Sequence, residues 1–227
     1  MPVDEPNPTS HVNRLEAAVS GDVVQARDVH GGVHFHRSEP GFEVLPSQLP
    51  GDVRGFVNRH TELAILTGVV SDDHDDPNSA VVTVITGTAG VGKTSLALHW
   101  AHSVRDHFPD GQLYVNLRGY DPGQPAVAEQ VLDRFLRDLG VPATAVPALL
   151  EDRASLYRSL LAPRRMLVVL DNAATTGQVR PLLPGTARSL VMVTSRSRLS
   201  GLVARDGAVR LGLDILREDD AVALLEP

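Results

Sequence analysis

Between Gly87 and Ser95 the chain sets glycines, a lysine and hydroxyl residues at a spacing suited to holding phosphate. Gly87-Thr88-Ala89-Gly90-Val91-Gly92-Lys93-Thr94 fits G-x-x-x-x-G-K-[ST] at every fixed position. The glycines let the backbone curl so that successive N–H groups point inward as an anion nest. A helix beginning near Lys93 adds the positive end of its dipole. Lys93 then supplies a point charge for β- and γ-phosphates, Thr94 a hydroxyl for Mg²⁺, and Ser95 a further donor to phosphate. A glycine-rich turn can match such a pattern by chance, so the context decides. A β-branched run from Val81 to Ile85 precedes the loop, and Leu96, Ala97, Trp100, Ala101 and Val104 recur behind it at helical spacing.

Two further positions fit the same chemistry. Met166-Leu167-Val168-Val169-Leu170-Asp171 is an apolar run ending in a carboxylate. Apolar on both faces, it reads as a central parallel strand, and an acid at its carboxyl end falls where open α/β sheets bind ligands. Asp171 is therefore the candidate Mg²⁺ ligand, acting through water; the competing reading is a helix N-cap. A second apolar run, Leu190 to Thr194, leads at once into Ser195-Arg196-Ser197-Arg198. Arg196 there is placed to reach a γ-phosphate, against the plainer reading of a surface arginine, which suits Arg198 better.

Other polar clusters are weaker. Residues 71–79, SDDHDDPNS, lack the loop glycine and terminal glutamate of a calcium loop and read as a solvated acidic loop. His30, His34 and His36 have no cysteine partner and do not make a metal motif.

The elements that must position these residues follow from periodicity. A helix is expected from His60 to about Val70. Residues 112–117 alternate as a strand, and Tyr120-Asp121-Pro122-Gly123 reads as a turn. Val127, Val131, Leu132, Phe135 and Leu139 form an amphipathic helix that Gly140 can cap. A further helix spans about Glu151 to Leu161, a last strand Val209 to Leu213, and a closing helix lies within residues 214–225. Strands alternating with helices predict an α/β fold, a doubly wound and mostly parallel sheet.

Ahead of it, residues 37–52 hold Pro and Gly in the manner of an extended linker. The domain expectation is a tail over 1–48 and a globular part over 49–227. Within the tail, residues 13–19 suit a short helix. Residues 21–36, GDVVQARDVHGGVHFH, repeat Gly-x-Val and suggest two short β segments. A disordered tail, a histidine metal site and a self-assembly segment compete for this stretch. The third rests on resemblance: around Val24-Gln25, residues 18–37 resemble bacterial amyloid signalling motifs.

Composition bounds the rest. Lys and Arg number 21 against 28 Asp and Glu, a net charge of −7, so a nucleic-acid partner bound by overall basicity is not expected. With no cysteine, disulfides and thiolate chemistry are excluded. No apolar run reaches membrane-spanning length and no signal pattern opens the chain, so a cytoplasmic protein is expected.

FVNRHTEL, GTAGVGKTS, FPDGQLYVNLRGYDP, RRMLVVLDNA, VMVTSRSRL and LGLDIL…AVALL stand in this order from Phe56 to Leu225. Together they resemble the NB-ARC nucleotide-binding domain of the STAND class of P-loop ATPases, in the style of actinobacterial regulators and NLR-like proteins. The resemblance implies ATP/ADP and Mg²⁺ as ligands. It assigns Val57 and Arg59 to the adenine, Gly87 to Ser95 to the phosphates, Asp171 to the Walker B carboxylate and Arg196 to the sensor arginine. Asn58 stands where the family has glycine, and Asn172 where many relatives carry a second acid that orients water. Family members continue into a helical part and a winged helix. Neither motif occurs before Pro227, which implies that half of the usual nucleotide enclosure lies outside this stretch.

The expected function is an ATP/ADP switch of a signalling or defence NTPase, at most a slow ATPase. Its nucleotide state would control assembly through the N-terminal motif, by self-association or with an effector bearing a matching motif. The alternatives are the nucleotide-binding part of a transcriptional regulator, or an ordinary P-loop ATPase or phosphotransferase.

Overall fold

The computed structural model describes residues 45–56, 58–71 and 80–215. The segment 18–37, the short helix expected at 13–19, Val57, the acidic residues 72–79 and all but the first two residues of the closing helix lie outside the described residues.

The strands are β1 (Val81–Gly87), β2 (Gln112–Asn116), β3 (Leu167–Ala173), β4 (Leu190–Ser195) and β5 (Val209–Leu213). They form one five-stranded sheet in the order β2-β3-β4-β1-β5, and every pairing is parallel. The helices are α1 (His60–Ser71), α2 (Lys93–Val104), α3 (Ala128–Asp138), α4 (Leu150–Leu161), α5 (Thr176–Val179) and α6 (Ser200–Asp206).

The burial of each strand follows from its place in that order. β4 is buried at every residue, and β3 at all but Asn172, because helices cover both faces. β2 and β5, at the two ends of the sheet, alternate instead. Successive side chains point to opposite faces, so β3 feeds two cores. Leu167 and Val169 join Leu66 of α1 and Leu96, Trp100 and Ala101 of α2. Val168 and Leu170 join Leu132 and Phe135 of α3 and Tyr157 of α4, with the Phe135 and Tyr157 rings stacked at 6.1 Å between centroids. α3 ends where Gly140 turns left-handed at φ 94°, its N–H and that of Val141 closing on the carbonyls of Arg137 and Leu136.

The described part of the expected linker is extended, and it is bonded to the sheet. Gln112 N–H donates to Pro46 O at 2.6 Å and Gln48 N–H to Gln112 O at 3.0 Å. The Gln48 side chain accepts from Tyr114 N–H at 3.3 Å and donates to Asp138 at 2.7 Å. Gly111 permits this approach, since a Cβ there would stand 2.5 Å from Pro46 O. The chain then crosses α2. His102 Nε2 lies 2.7 Å from Pro50 O, His99 Nδ1 lies 3.2 Å from the Asp52 carboxylate, and the Phe56 ring stacks on His99 at 4.2 Å. Among the described residues no helix is long and apolar enough to cross a membrane.

Candidate functional site

β1, β4 and β3 are adjacent parallel strands whose carboxyl ends share one rim of the sheet. Each delivers polar groups there: β1 the glycine loop, β4 Thr194 and Arg196, β3 Asp171 and Asn172. Asp171 lies one strand removed from β1, and it meets the loop across β4. Thr94 Oγ1 donates to Asp171 Oδ1 at 2.8 Å. Thr194, on the intervening strand, donates to the same oxygen, and Tyr114 of β2 donates to Oδ2 at 3.2 Å. Burial, followed by the charge and hydrogen bond of Asp171, pushes the Tyr114 hydroxyl well above its ordinary pKa.

The glycine loop has the conformation its composition allows. Gly90 and Gly92 are left-handed, at φ 76° and 91°. Gly87 is required by space, since a Cβ would sit 2.7 Å from Leu213 O. Val91 is buried and turned into the core beside Gly87, so it serves the loop through its backbone. Lys93 Nζ donates to Gly87 O at 3.0 Å and to Thr88 O at 2.6 Å. Its pKa is lowered, first by desolvation and then by the positive charge of Arg196, with Asp171 opposing. Two cations therefore feel one another across the site, and an anion between them would relieve that repulsion.

Ala89, Gly90, Gly92, Lys93, Thr94 and Ser95 line a cavity of about 400 Å³, together with Asn116, Asp121, Asp171, Asn172, Thr194 and Arg196. The Thr94 hydroxyl and Asp171 carboxylate are hard oxygen donors of the kind Mg²⁺ takes. Among the described residues no group of three His, Cys, Asp or Glu side chains gathers, so Mg²⁺ here would complete its shell with water and phosphate oxygens.

Of the residues named from the glycine loop, Ala89, Gly90, Gly92, Lys93, Thr94 and Ser95 line this cavity with Asp171 and Arg196, while Gly87, Thr88 and Val91 are not among its lining residues. Arg59 lies against the outer side of the loop. Its guanidinium donates to Glu62 at 2.8 Å, to Asp214 O at 2.6 Å and to Val91 O at 3.4 Å. Asn58 and Arg59 are both left-handed, at φ 60° and 68°, and Asn58 Oδ1 accepts the Arg59 N–H at 2.9 Å. Asparagine is among the non-glycine residues that enter this region most readily. Tyr114, Asn116, Asp121 and Thr194 are site residues that the sequence reading passed over. A hydroxyl at the end of the β4 run was a usable signal for Thr194. The other three depend on which strands become neighbours.

The family model described as NB-ARC domain matches residues 65–227. A relative named Regulatory protein AfsR, from Streptomyces coelicolor, is 46% identical over 182 residues, covering 79% of this chain and 18% of that protein. A nucleotide-binding leucine-rich repeat (NLR)-like protein from Hyaloscypha variabilis is 25% identical over 198 residues, again covering 18% of its length. This chain therefore spans less than a fifth of the curated relatives it matches. Among solved structures, the Aeropyrum pernix ORC2 protein (ADPNP-ADP complexes) shares the fold at a TM-score of 0.54 and 19% identity, covering 78% of this chain and 52% of that one.

Proposed function

The chain belongs to the NB-ARC family, and from that premise we propose that residues 49–227 form an ATP/ADP-binding switch module. The observation that carries the reading is the convergence of Lys93, Thr94, Asp171 and Arg196 on one cavity beside the glycine loop. Lys93 and the loop N–H groups bind the β- and γ-phosphates. Thr94 and Asp171 hold Mg²⁺, which supplies charge neutralisation between those phosphates when bound. Arg196 answers the γ-phosphate, and Val57 and Arg59 serve the base. Asn172 leaves the end of β3 without a second acid, and we expect turnover below the range of about 1–10³ s⁻¹ usual for enzymes. A switch needs differential affinity between its states and not fast turnover.

Two uses of the switch have support. Identity of 46% to a protein named as regulatory favours the nucleotide-binding part of a regulator. The Gly-x-Val segments around Val24-Gln25 favour control of assembly through residues 18–37. Both rest on phosphate affinity at Lys93. A charge-assisted hydrogen bond is worth about 1.5–3 kcal/mol, so Lys93→Ala weakens ADP binding roughly ten- to a hundredfold in calorimetry. Unchanged affinity would overturn the reading.

A further inference from the structure

The loop from β2 to α3 is built more firmly than a surface turn requires. Its ends are closed by Ala126 N–H donating to Leu117 O at 2.9 Å. Gln178 Nε2 donates to both of the carbonyls that bracket it, Leu117 O at 3.3 Å and Ala126 O at 3.2 Å. Its floor lies on β3, where Gly119 N–H donates to Asn172 O at 2.7 Å. A Cβ at Gly119 would collide with the backbone of Asn172 and Ala174. β3 is shaped to receive it. The register with β4 gains one residue between Leu170 and Ala173, and Asn172 in that bulge is left-handed at φ 57°.

This construction aims two side chains at the cavity. Arg196 lies 4.9 Å over the Tyr120 ring. Asn172 Nδ2 donates to Asp121 Oδ1 at 2.7 Å, and Asp121 and Asn172 both line the cavity that holds Lys93 and Thr94. Asp171 accepts three hydroxyls, Thr94 and Thr194 on one oxygen and Tyr114 on the other. Asp121, an exposed residue, accepts from Asn172 through Oδ1.

We infer that Asp121 supplies the carboxylate that orients the attacking water for γ-phosphate hydrolysis, and that Asn172 is the amide that holds it there. The inference rests on the ATP/ADP reading of the site. Water accepts its alignment by donating a hydrogen bond to Asp121. The water oxygen bonds to the γ-phosphorus, and the bond from that phosphorus to the β,γ-bridging oxygen breaks with its electron pair going to ADP. The proton lost on forming inorganic phosphate passes to solvent. The acid thus comes from a loop and not from the strand end, and Asn172 is its support.

The test uses the 227-residue chain and its Asp121→Asn and Asn172→Asp variants. Calorimetry with ADP and Mg²⁺ first checks the reading beneath the inference; a wild-type chain that binds no ADP overturns both. With binding in hand, release of labelled ADP is followed with and without aluminium fluoride, which completes a mimic of the γ-phosphoryl group in transfer. Expected is slow, trapped release in wild type. Asp121→Asn keeps its ADP affinity, loses the trap and hydrolyses ATP roughly a hundredfold more slowly, the loss expected when an attacking group is misplaced. Asn172→Asp brings two carboxylates together and also loses the trap. A trap equal in wild type and Asp121→Asn, or absent from both, overturns the inference. So does faster hydrolysis by Asn172→Asp, which would put the working acid at the strand end.

Discussion

Three hydroxyls, from Thr94, Thr194 and Tyr114, close on Asp171, which is 5% exposed. The side chain therefore has a structural part to play beside its proposed part in holding a cation, and a substitution can separate them. Asn keeps one oxygen as acceptor and offers an amide that Tyr114 can accept from, so the polar cluster stays satisfied. Asp171→Asn should cost about 1 kcal/mol of stability and keep the fold. The extra thermal stabilisation that Mg²⁺ adds to ADP by mass action should disappear, because the negative charge has gone. Melting curves with ADP, taken with and without Mg²⁺, check this; a wild-type Mg²⁺ increment in the variant would place the cation elsewhere. The Asp171 position itself was legible, since a carboxylate ending an apolar run stands out in one dimension. Its bonding was not, because Thr94, Tyr114 and Thr194 come from three other elements.

α5 is a helix of four residues that does more than join β3 to β4. Thr175 and Gln178 form a capping box: the Thr175 hydroxyl accepts the Gln178 N–H, and Gln178 Oε1 accepts the Thr175 N–H. The same Gln178 oxygen takes the Ala174 N–H at 2.9 Å, while its amide nitrogen reaches the two carbonyls that close the β2–α3 loop. Gln178→Ala should lose the cap, worth about 0.5–2 kcal/mol, and remove the Gln178 donor from Ala126 O at roughly 1–3 kcal/mol, while Leu117 O keeps the Ala126 N–H. Gln178→Glu keeps the acceptor and turns a carboxylate oxygen toward two carbonyls, so it should not rescue the loss. Urea unfolding of the two variants measures both; full recovery in Gln178→Glu would confine the residue to capping. The strands and long helices were readable because apolar periodicity is a local signal, and the expected bounds of α1, α3, α4 and β5 lie within a residue or so of those found. The order β2-β3-β4-β1-β5 was not, since nothing in a strand's own residues says which strand will lie beside it. The turn at Tyr120 to Gly123 was readable as a turn, while its purpose depends on Asn172 and Gln178, some fifty residues away.

At the scale of the molecule, residues 18–37 are expected to join copies of the chain. If the segment stacked in register, Gln25 would form an amide ladder and Val33 with Phe35 a dry face. His34 and His36 would fall on the other face of such a stack, where histidine, charged at acid pH, would repel along it. A peptide of residues 18–37 should give thioflavin-positive fibres with a spacing of about 4.7 Å, more readily at pH 8 than at pH 5.5, and Gln25→Asp should stop them. A peptide that stays monomeric at pH 8 would return the stretch to a plain tail. The segment that follows, from Pro46 to Arg59, is pinned at the β2 edge, crosses α2 and finishes at Val91 in the glycine loop. Mechanically it is a strap held at the β2 edge, on α2 and at the glycine loop. Tension drawn through the chain ahead of residue 45 loads the Pro46–Gln112 and Gln48–Gln112 bonds first, with the Phe56–His99 stack behind them. Only when those give way does the load arrive at Arg59, and through it at Val91. A pull on the tail would thus meet these contacts before the glycine loop, and the strength of the β2 anchorage would set the force at which they give way.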